Sequence, residues 1–249
     1  MDVDLDNAIA ITREIYWVGF AERITRLRCN PYILRDSNSE DVVLFDPGSI
    51  SDFPKIMRKI IDVVPVESIS LVVVSHQDPD VCGNTAVVED VIARADLQIA
   101  AHINTVRLID HLGLASEFYR VDENDYKFKL SSGRILEFIH LPFLHSPGAI
   151  ATFDRETKTL FSGDLFGAVS PSENLFKDPD FPSNMDSFHQ AYMPSNAILR
   201  RGLRRLESLP IERILPQHGS IIEGSDVQAA FEHLRELPCG LDLDEGEAE

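Results

Sequence analysis

Apolar residues along the chain fall into short runs separated by polar loops, and these runs alternate with stretches of helical spacing. Glu14–Phe20, Pro31–Arg35 and Val42–Phe45 are rich in aromatic and β-branched residues and predict three early strands. Asp46-Pro47-Gly48 closes the third, and Phe53–Val63 follows with the period of an amphipathic helix. Leu71-Val72-Val73-Val74 is a continuous apolar run, the pattern of a strand buried on both faces. It leads straight into Ser75-His76-Gln77-Asp78-Pro79-Asp80. Asn84–Ala95 then predicts a helix with Asn84 as its N-cap.

Further strands are predicted at Gln98–His102, Glu117–Val121, Lys127–Leu130, Arg134–His140, Ala149–Phe153, Thr159–Phe161 and Ile211–Leu215. Helical spacing recurs at Asn104–His111, at Ser187–Leu209 with an interruption near Pro194, and at Asp226–Leu237. Two runs of strands, each flanked by helices, predict an α/β domain layered as a four-layer αββα sandwich. The Pro- and Asp-rich stretch Ser170–Pro182 reads as a surface loop beside a site. One domain is expected over residues 1–241. Residues 242–249, with five acids and no base, read as a solvated, disordered tail.

Charge narrows the choice of partner. With 23 Lys and Arg against 41 Asp and Glu, the net charge is −18, which repels phosphate backbones and anionic headgroups. Neither nucleic acid nor a membrane is expected as a partner. No apolar run approaches the ~20 residues that span a bilayer, and the opening MDVDLDNAIA lacks the basic and apolar regions of a signal peptide. The three cysteines, Cys29, Cys82 and Cys239, form no C-x-x-C pair and fit a reducing compartment. A cytoplasmic protein is the expectation.

Four short motifs sit in loops just beyond predicted strands: His76-x-Asp78-x-Asp80, His145-Ser146-Pro147-Gly148, Ser162-Gly163-Asp164 and Pro216-Gln217-His218-Gly219. Taken singly each is weak, because a lone His at a strand end is usually a hydrogen-bonded structural residue and an Asp before a turn is usually a turn former. Together they supply three His and three Asp at one edge of the sheets, a donor set for a hard-to-borderline transition metal.

In this order the four motifs resemble the signature of the metallo-β-lactamase superfamily, whose fold is the αββα sandwich. The resemblance covers nearly the whole chain and is closest to the di-iron branch, that of the flavodiiron proteins and the stand-alone oxygen-binding di-iron proteins. Asp78 is a carboxylate where the zinc hydrolases carry His. Ile15–Gly19 and Asn30–Leu34 look like that branch's opening segments, and His145 and Asp164 lie 19 positions apart, as its motif spacing implies. Carried over by motif, the resemblance implies one iron held by His76, Asp78 and His145, a second by Asp80 and His218, and Asp164 as the bridge. Two iron ions (Fe2+/Fe3+) with a bridging oxo, hydroxo or peroxo group are the implied cofactor, with zinc the alternative metal. Replacing an imidazole by a carboxylate hardens the ligation and favours iron.

The chain departs from the family pattern at two points. Val81 stands where a further His ligand belongs, which leaves either an open coordination position for O2 or a decayed site holding one metal or none. His102 is a candidate substitute ligand, although a structural role suits it better, and Cys82 reads as a buried inert thiol. The second departure is that no flavodoxin domain and no FMN-cradling loop is visible, so reducing O2 or NO over many turnovers needs an external electron donor. His111, His140, His189 and His233 read as structural or surface residues, with His189 singled out for testing beside the site.

The resulting expectation is a non-haem di-iron protein that binds O2, with NO as a second ligand, acting as an oxygen sensor or as a reductase with a separate donor. A homodimer and a signalling or electron-donor partner protein go with it. The competing readings are a binuclear zinc hydrolase of thioesters, lactones or phosphodiesters, and a metal-free interaction module.

Overall fold

The computed structural model describes residues 4–20, 27–169 and 174–244. Among these the strands form two sheets. The first runs in chain order through β1 (Ile9–Ala10), β2 (Ile15–Trp17), β3 (Tyr32–Arg35), β4 (Val42–Phe45), β5 (Ile69–Val73), β6 (Gln98–Ala101) and β7 (Glu117–Arg120). It is antiparallel as far as β4 and parallel from β4 to β7. The second contains β8 (Lys127–Lys129), β9 (Ile135–His140), β10 (Ile150–Asp154), β11 (Thr159–Gly163), β12 (Arg213–Pro216) and β13 (Ile222–Glu223), ordered β13-β12-β11-β10-β9-β8. Only β11 and β12 pair in parallel there.

Helices α1 (Phe53–Val63), α2 (Pro79–Cys82), α3 (Thr85–Ile92) and α4 (Ile103–Ile109) belong to the first half. Helices α5 (Asp186–Tyr192), α6 (Asn196–Leu206), α7 (Ser225–Glu236) and α8 (Leu241–Asp244) belong to the second. None is long and apolar enough to cross a membrane.

Three apolar clusters define the layers. Ile33, Leu44 and Val72 pack with Ile56 and Ile60 of α1, Val88 of α3 and Ile109 of α4. Trp17, Leu34, Val43, Phe45 and Leu71 of the first sheet meet Leu136, Phe138, Phe161 and Leu215 of the second. Phe153, Leu160 and Ile214 pack with Phe188 of α5, Leu203 of α6 and Phe231 of α7. Neighbouring residues of a strand, Val43 and Leu44 or Leu160 and Phe161, thus serve different interfaces, as the two-residue period of a strand demands. Burying each such side chain contributes roughly 1.5–3 kcal/mol. The fold is the αββα sandwich expected from the sequence, and Phe45 and Phe161 stack across its middle at 3.7 Å between ring centroids.

Where elements differ from the reading of the sequence, the causes are local. The helix expected over Asn84–Ala95 ends at Ile92 because Ala93 turns into the left-handed region (φ 49°). Asn84 occupies the N-cap position but does not cap with its side chain, which donates instead to the Pro47 carbonyl. The stretch Ser187–Leu209 is two helices, and Ser195 caps the second by accepting from the Ile198 N–H. The Ser170–Pro182 loop is less superficial than its polarity suggests: Leu175 and Asp178 are buried, and the Leu175 carbonyl accepts from the Ile221 N–H. Residues 170–173 lie outside the described residues. At the C-terminus α8 runs to Asp244, and Asp242 accepts from the backbone N–H groups of Asn196 and Cys239. Residues 245–249 lie outside the described residues.

Candidate metal centre

Beyond β5 the chain passes through Ser75 and His76, both buried, and into the single-turn helix α2. Pro79 opens that turn, and the Asp78 carbonyl accepts from the N–H groups of Val81 and Cys82. Asp78 is therefore left extended before the turn, while Asp80 rides on it. The Gly48 N–H donates to Val81 and the Asn84 N–H to Gly48, so the Asp46-Pro47-Gly48 turn clamps the helix in place. The two carboxylates consequently serve different imidazoles. Asp78 Oδ2 lies 3.2 Å from His145 Nε2 and 3.8 Å from His76 Nε2, whereas Asp80 Oδ2 lies 3.3 Å from His218 Nε2.

Asp164 stands between the two groups. Its loop leaves β11 at Gly163, where φ is +58° and an added Cβ would lie 3.1 Å from the Ser75 side chain, so the backbone there suits glycine. Asp164 is buried, and Oδ2 lies 3.3 Å from His76 Nε2 and 3.0 Å from His145 Nε2. Its other oxygen, Oδ1, lies 3.3 Å from His218 Nε2. One carboxylate thus turns a separate oxygen to each group.

The outer contacts aim the rings. His76 Nδ1 is 3.0 Å from the Ser75 hydroxyl, and the Ser75 N–H donates to Asp46 at 2.7 Å. His218 Nδ1 donates to the Arg28 carbonyl at 2.8 Å. With Nδ1 engaged outward, both rings present Nε2 to the centre, the arrangement that orients metal-ligating histidines. The loop carrying His218 is stitched by Asn30, whose side chain donates to the carbonyls of Pro216 and Gly219 and whose backbone N–H donates to Gln217. Gly219 makes the tight turn that follows (φ +84°), with Ala168 too close for a side chain. His189 secures the Asp164 loop from α5: its Nδ1 donates to Met185 and its Nε2 accepts from the Phe166 N–H.

Electrostatics bind the cluster together. Burial opposes charge on Asp164, yet the imidazoles of His76 and His218 hold its carboxyl well below the usual range. Burial likewise opposes charge on the three imidazoles. The facing carboxylates nonetheless raise His76, lift His218 well above its ordinary value and bring His145 to about 10. Without a cation, protons carry the positive charge the carboxylates demand. Two polar atoms facing the centre, His76 Nε2 and Asp164 Oδ1, are buried without a hydrogen-bond partner. Unsatisfied buried atoms are costly (about 1–3 kcal/mol each), and a cation between these donors would remove that cost. The donor set, imidazole nitrogens and carboxylate oxygens, suits a transition metal.

Among the described residues, two groups of side chains offer ligand atoms within 4.8 Å of one another: His76, Asp78, His145 and Asp164 in one, Cys29, Asp80 and His218 in the other. All six residues singled out from the sequence are therefore brought together. Cys29 is the addition, and its only signal in the sequence was its place directly before Asn30-Pro31-Tyr32. Aromatic residues of α5 also form part of the wall: the Phe188 ring centroid is 5.4 Å from that of His218, and Tyr192 is 5.6 Å from His145. Asp78 and Asp80, with side chains 31% and 32% exposed, mark the open side.

His102 belongs to neither group and caps α4 through Nδ1, accepting from the Asn104 N–H at 3.1 Å. Cys82 also stands outside both. Its thiol donates to the Gln77 carbonyl and is pushed up to about 12 by burial. Val81 is wholly buried on α2.

Residues 27–219, which contain every one of these side chains, match the family described as ODP family beta lactamase. The chain belongs to that family. Among solved structures, the ODP family member described as the chemotaxis sensor ODP from T. denticola, in its apo state, is 27% identical. It superposes with a TM-score of 0.80 over 96% of this chain and 97% of its own. A structure described as the peroxy diiron species of chemotaxis sensor ODP is 26% identical, with the same TM-score, and is covered over 98% of its length. Curated relatives are longer. A putative diflavin flavoprotein of Thermosynechococcus vestitus is 28% identical over 192 residues, 74% of this chain and 32% of its own length. The flavo-diiron protein FprA2 of Clostridium acetobutylicum is 23% identical over 81% of this chain and 51% of its own. The chain thus spans about a third to a half of these two relatives.

Proposed function

We propose that this chain is a non-haem di-iron protein that binds O2, with NO as an alternative ligand, and that it serves as an oxygen sensor. The observation that carries the reading is the two-sided placement of Asp164, whose oxygens face two separate groups of donors. In this reading His76, Asp78 and His145 would hold one metal and Asp80 and His218 the other, with Asp164 shared between them. Two ferrous ions there would supply one electron each to a bound O2.

The protein's own residues do the rest. Asp78, Asp80 and Asp164 offset the cationic charge and harden the donor set, which favours iron over zinc. The Ser75 hydroxyl and the Arg28 carbonyl hold His76 and His218 at Nδ1 and so orient both rings with Nε2 toward the centre. Phe188 and Tyr192 stack on each other at 4.8 Å between ring centroids and set aromatic surface beside His218 and His145. The end-to-end superposition on a chemotaxis sensor that contains iron supports sensing over turnover. A homodimer, a cytoplasmic setting and a protein that reads the signal or donates electrons belong to the same reading.

The test is metal analysis of protein purified without oxygen from iron-replete cells, followed by an optical spectrum before and after O2. The expected result is two irons per chain and a visible absorption band that outlasts removal of excess O2. Stoichiometric zinc without iron, together with hydrolysis of a thioester or lactone, would replace this reading with the binuclear hydrolase.

A further inference from the structure

The two groups of donors are unequal if only the six motif residues are counted. His76, Asp78, His145 and Asp164 surround one position with four donors. Asp80, His218 and the shared Asp164 give the other three, because Val81 stands where the family pattern has a further His. Cys29 lies beside this second group. Its sulfur, a carboxylate oxygen of Asp80 and a ring nitrogen of His218 all fall within 4.8 Å of one another.

This proximity is built from both sides of Cys29. The residue before it, Arg28, accepts from His218 Nδ1 through its carbonyl. The residue after it, Asn30, ties its backbone N–H to Gln217 and its side chain to the carbonyls of Pro216 and Gly219. Cys29 itself pairs with Phe20 through its backbone and is 4% exposed. Arg28 and Asn30 thus grip the His218 loop, and the residue between them presents a soft donor beside the ring. A buried cysteine held among apolar neighbours usually packs as a small hydrophobe. This one shares its surroundings with a carboxylate and an imidazole.

We infer that Cys29 is the fourth protein ligand of the second metal, bound as a thiolate together with Asp80, His218 and the bridging Asp164. This rests on the binuclear reading above and deepens it, since it makes the two metals chemically distinct, one with nitrogen and oxygen donors alone and one with sulfur. Coordination forms a sulfur–metal bond from a thiolate lone pair. The thiol proton passes to solvent, and no electron is transferred. A thiolate donates more electron density than the imidazole it replaces, so the second metal should be the more easily oxidised of the pair.

Cobalt(II) titrated into the metal-free protein reads the ligand directly, because thiolate–cobalt charge transfer absorbs strongly in the near ultraviolet. The expected result is two cobalt ions per chain, with the sulfur band growing as the second binds. Cys29→Ser should bind the second ion more weakly and without the band, and Cys29→Ala should retain close to one ion. Cys82→Ala should leave the band intact. Two cobalt ions bound by the native protein with no sulfur band, or a band that survives in Cys29→Ser, would overturn the assignment and leave the binuclear reading standing. A native protein that binds no second ion at all would overturn both.

Discussion

Asp164 Oδ1 lies 3.3 Å from His218 Nε2, on a different oxygen from the one that meets His76 and His145. The two residues should therefore differ in what their loss removes. Asp164→Ala should lose both metals, because the bridge serves each, whereas His218→Ala should keep close to one. Metal content per chain, measured after desalting, checks this. Equal loss in the two variants contradicts a bridging role.

His145 gives a pH signature to the metal-free protein. Its ordinary value is 6.5, and although burial opposes the charge, hydrogen bonds to Asp164 and Asp78 raise it to about 10. A raised folded-state value means that the stabilisation is fully present below about pH 6.5 and is lost as pH rises through about 10. Urea unfolding of the metal-free native protein and of His145→Gln should show a native advantage at pH 7 that shrinks toward pH 10. An advantage that stays constant across this range would show that His145 is not held protonated by the carboxylates.

His189 lies outside the four motifs but beside the Asp164 loop. It is fully buried and is held neutral, at about 4, by burial. Replacing it with Leu leaves the Phe166 N–H and the Met185 carbonyl without their side-chain partner, so a loss of about 1–3 kcal/mol is expected in urea unfolding. Because Phe166 lies two residues beyond Asp164, iron should also bind more weakly to His189→Leu. Native affinity in a destabilised His189→Leu protein would restrict the residue to folding.

Val81 tests the openness of the second position. Val81→His restores the residue type that the family pattern carries there, adding an imidazole one residue beyond Asp80. The expected outcome is a weaker or shorter-lived optical response to O2 with metal content retained. An unchanged response with two irons still bound would mean that position 81 does not control ligand access.

The sequence by itself determined the layered sandwich and picked out six His and Asp side chains that the fold brings together. Strand burial follows a two-residue period, helices follow their own, and both are written in the order of nearby side chains, so Val43 and Leu44 already announce two faces in need of cover. The motif residues were legible because strand ends are fixed points, and a His or Asp just beyond one has few places to go. What only the tertiary structure decided concerns partners far apart in the chain. The packing of one sheet on the other sets which oxygen of Asp164 meets which ring, and the single turn of α2 separates Asp78 from Asp80. Cys29 meets Asp80 and His218 through backbone bonds from Arg28 and Asn30 to the far loop. His102 spends its ring on a helix cap, and Leu175 is buried within a polar stretch. No local period encodes such meetings, because they depend on where two separately formed sheets come to rest against each other.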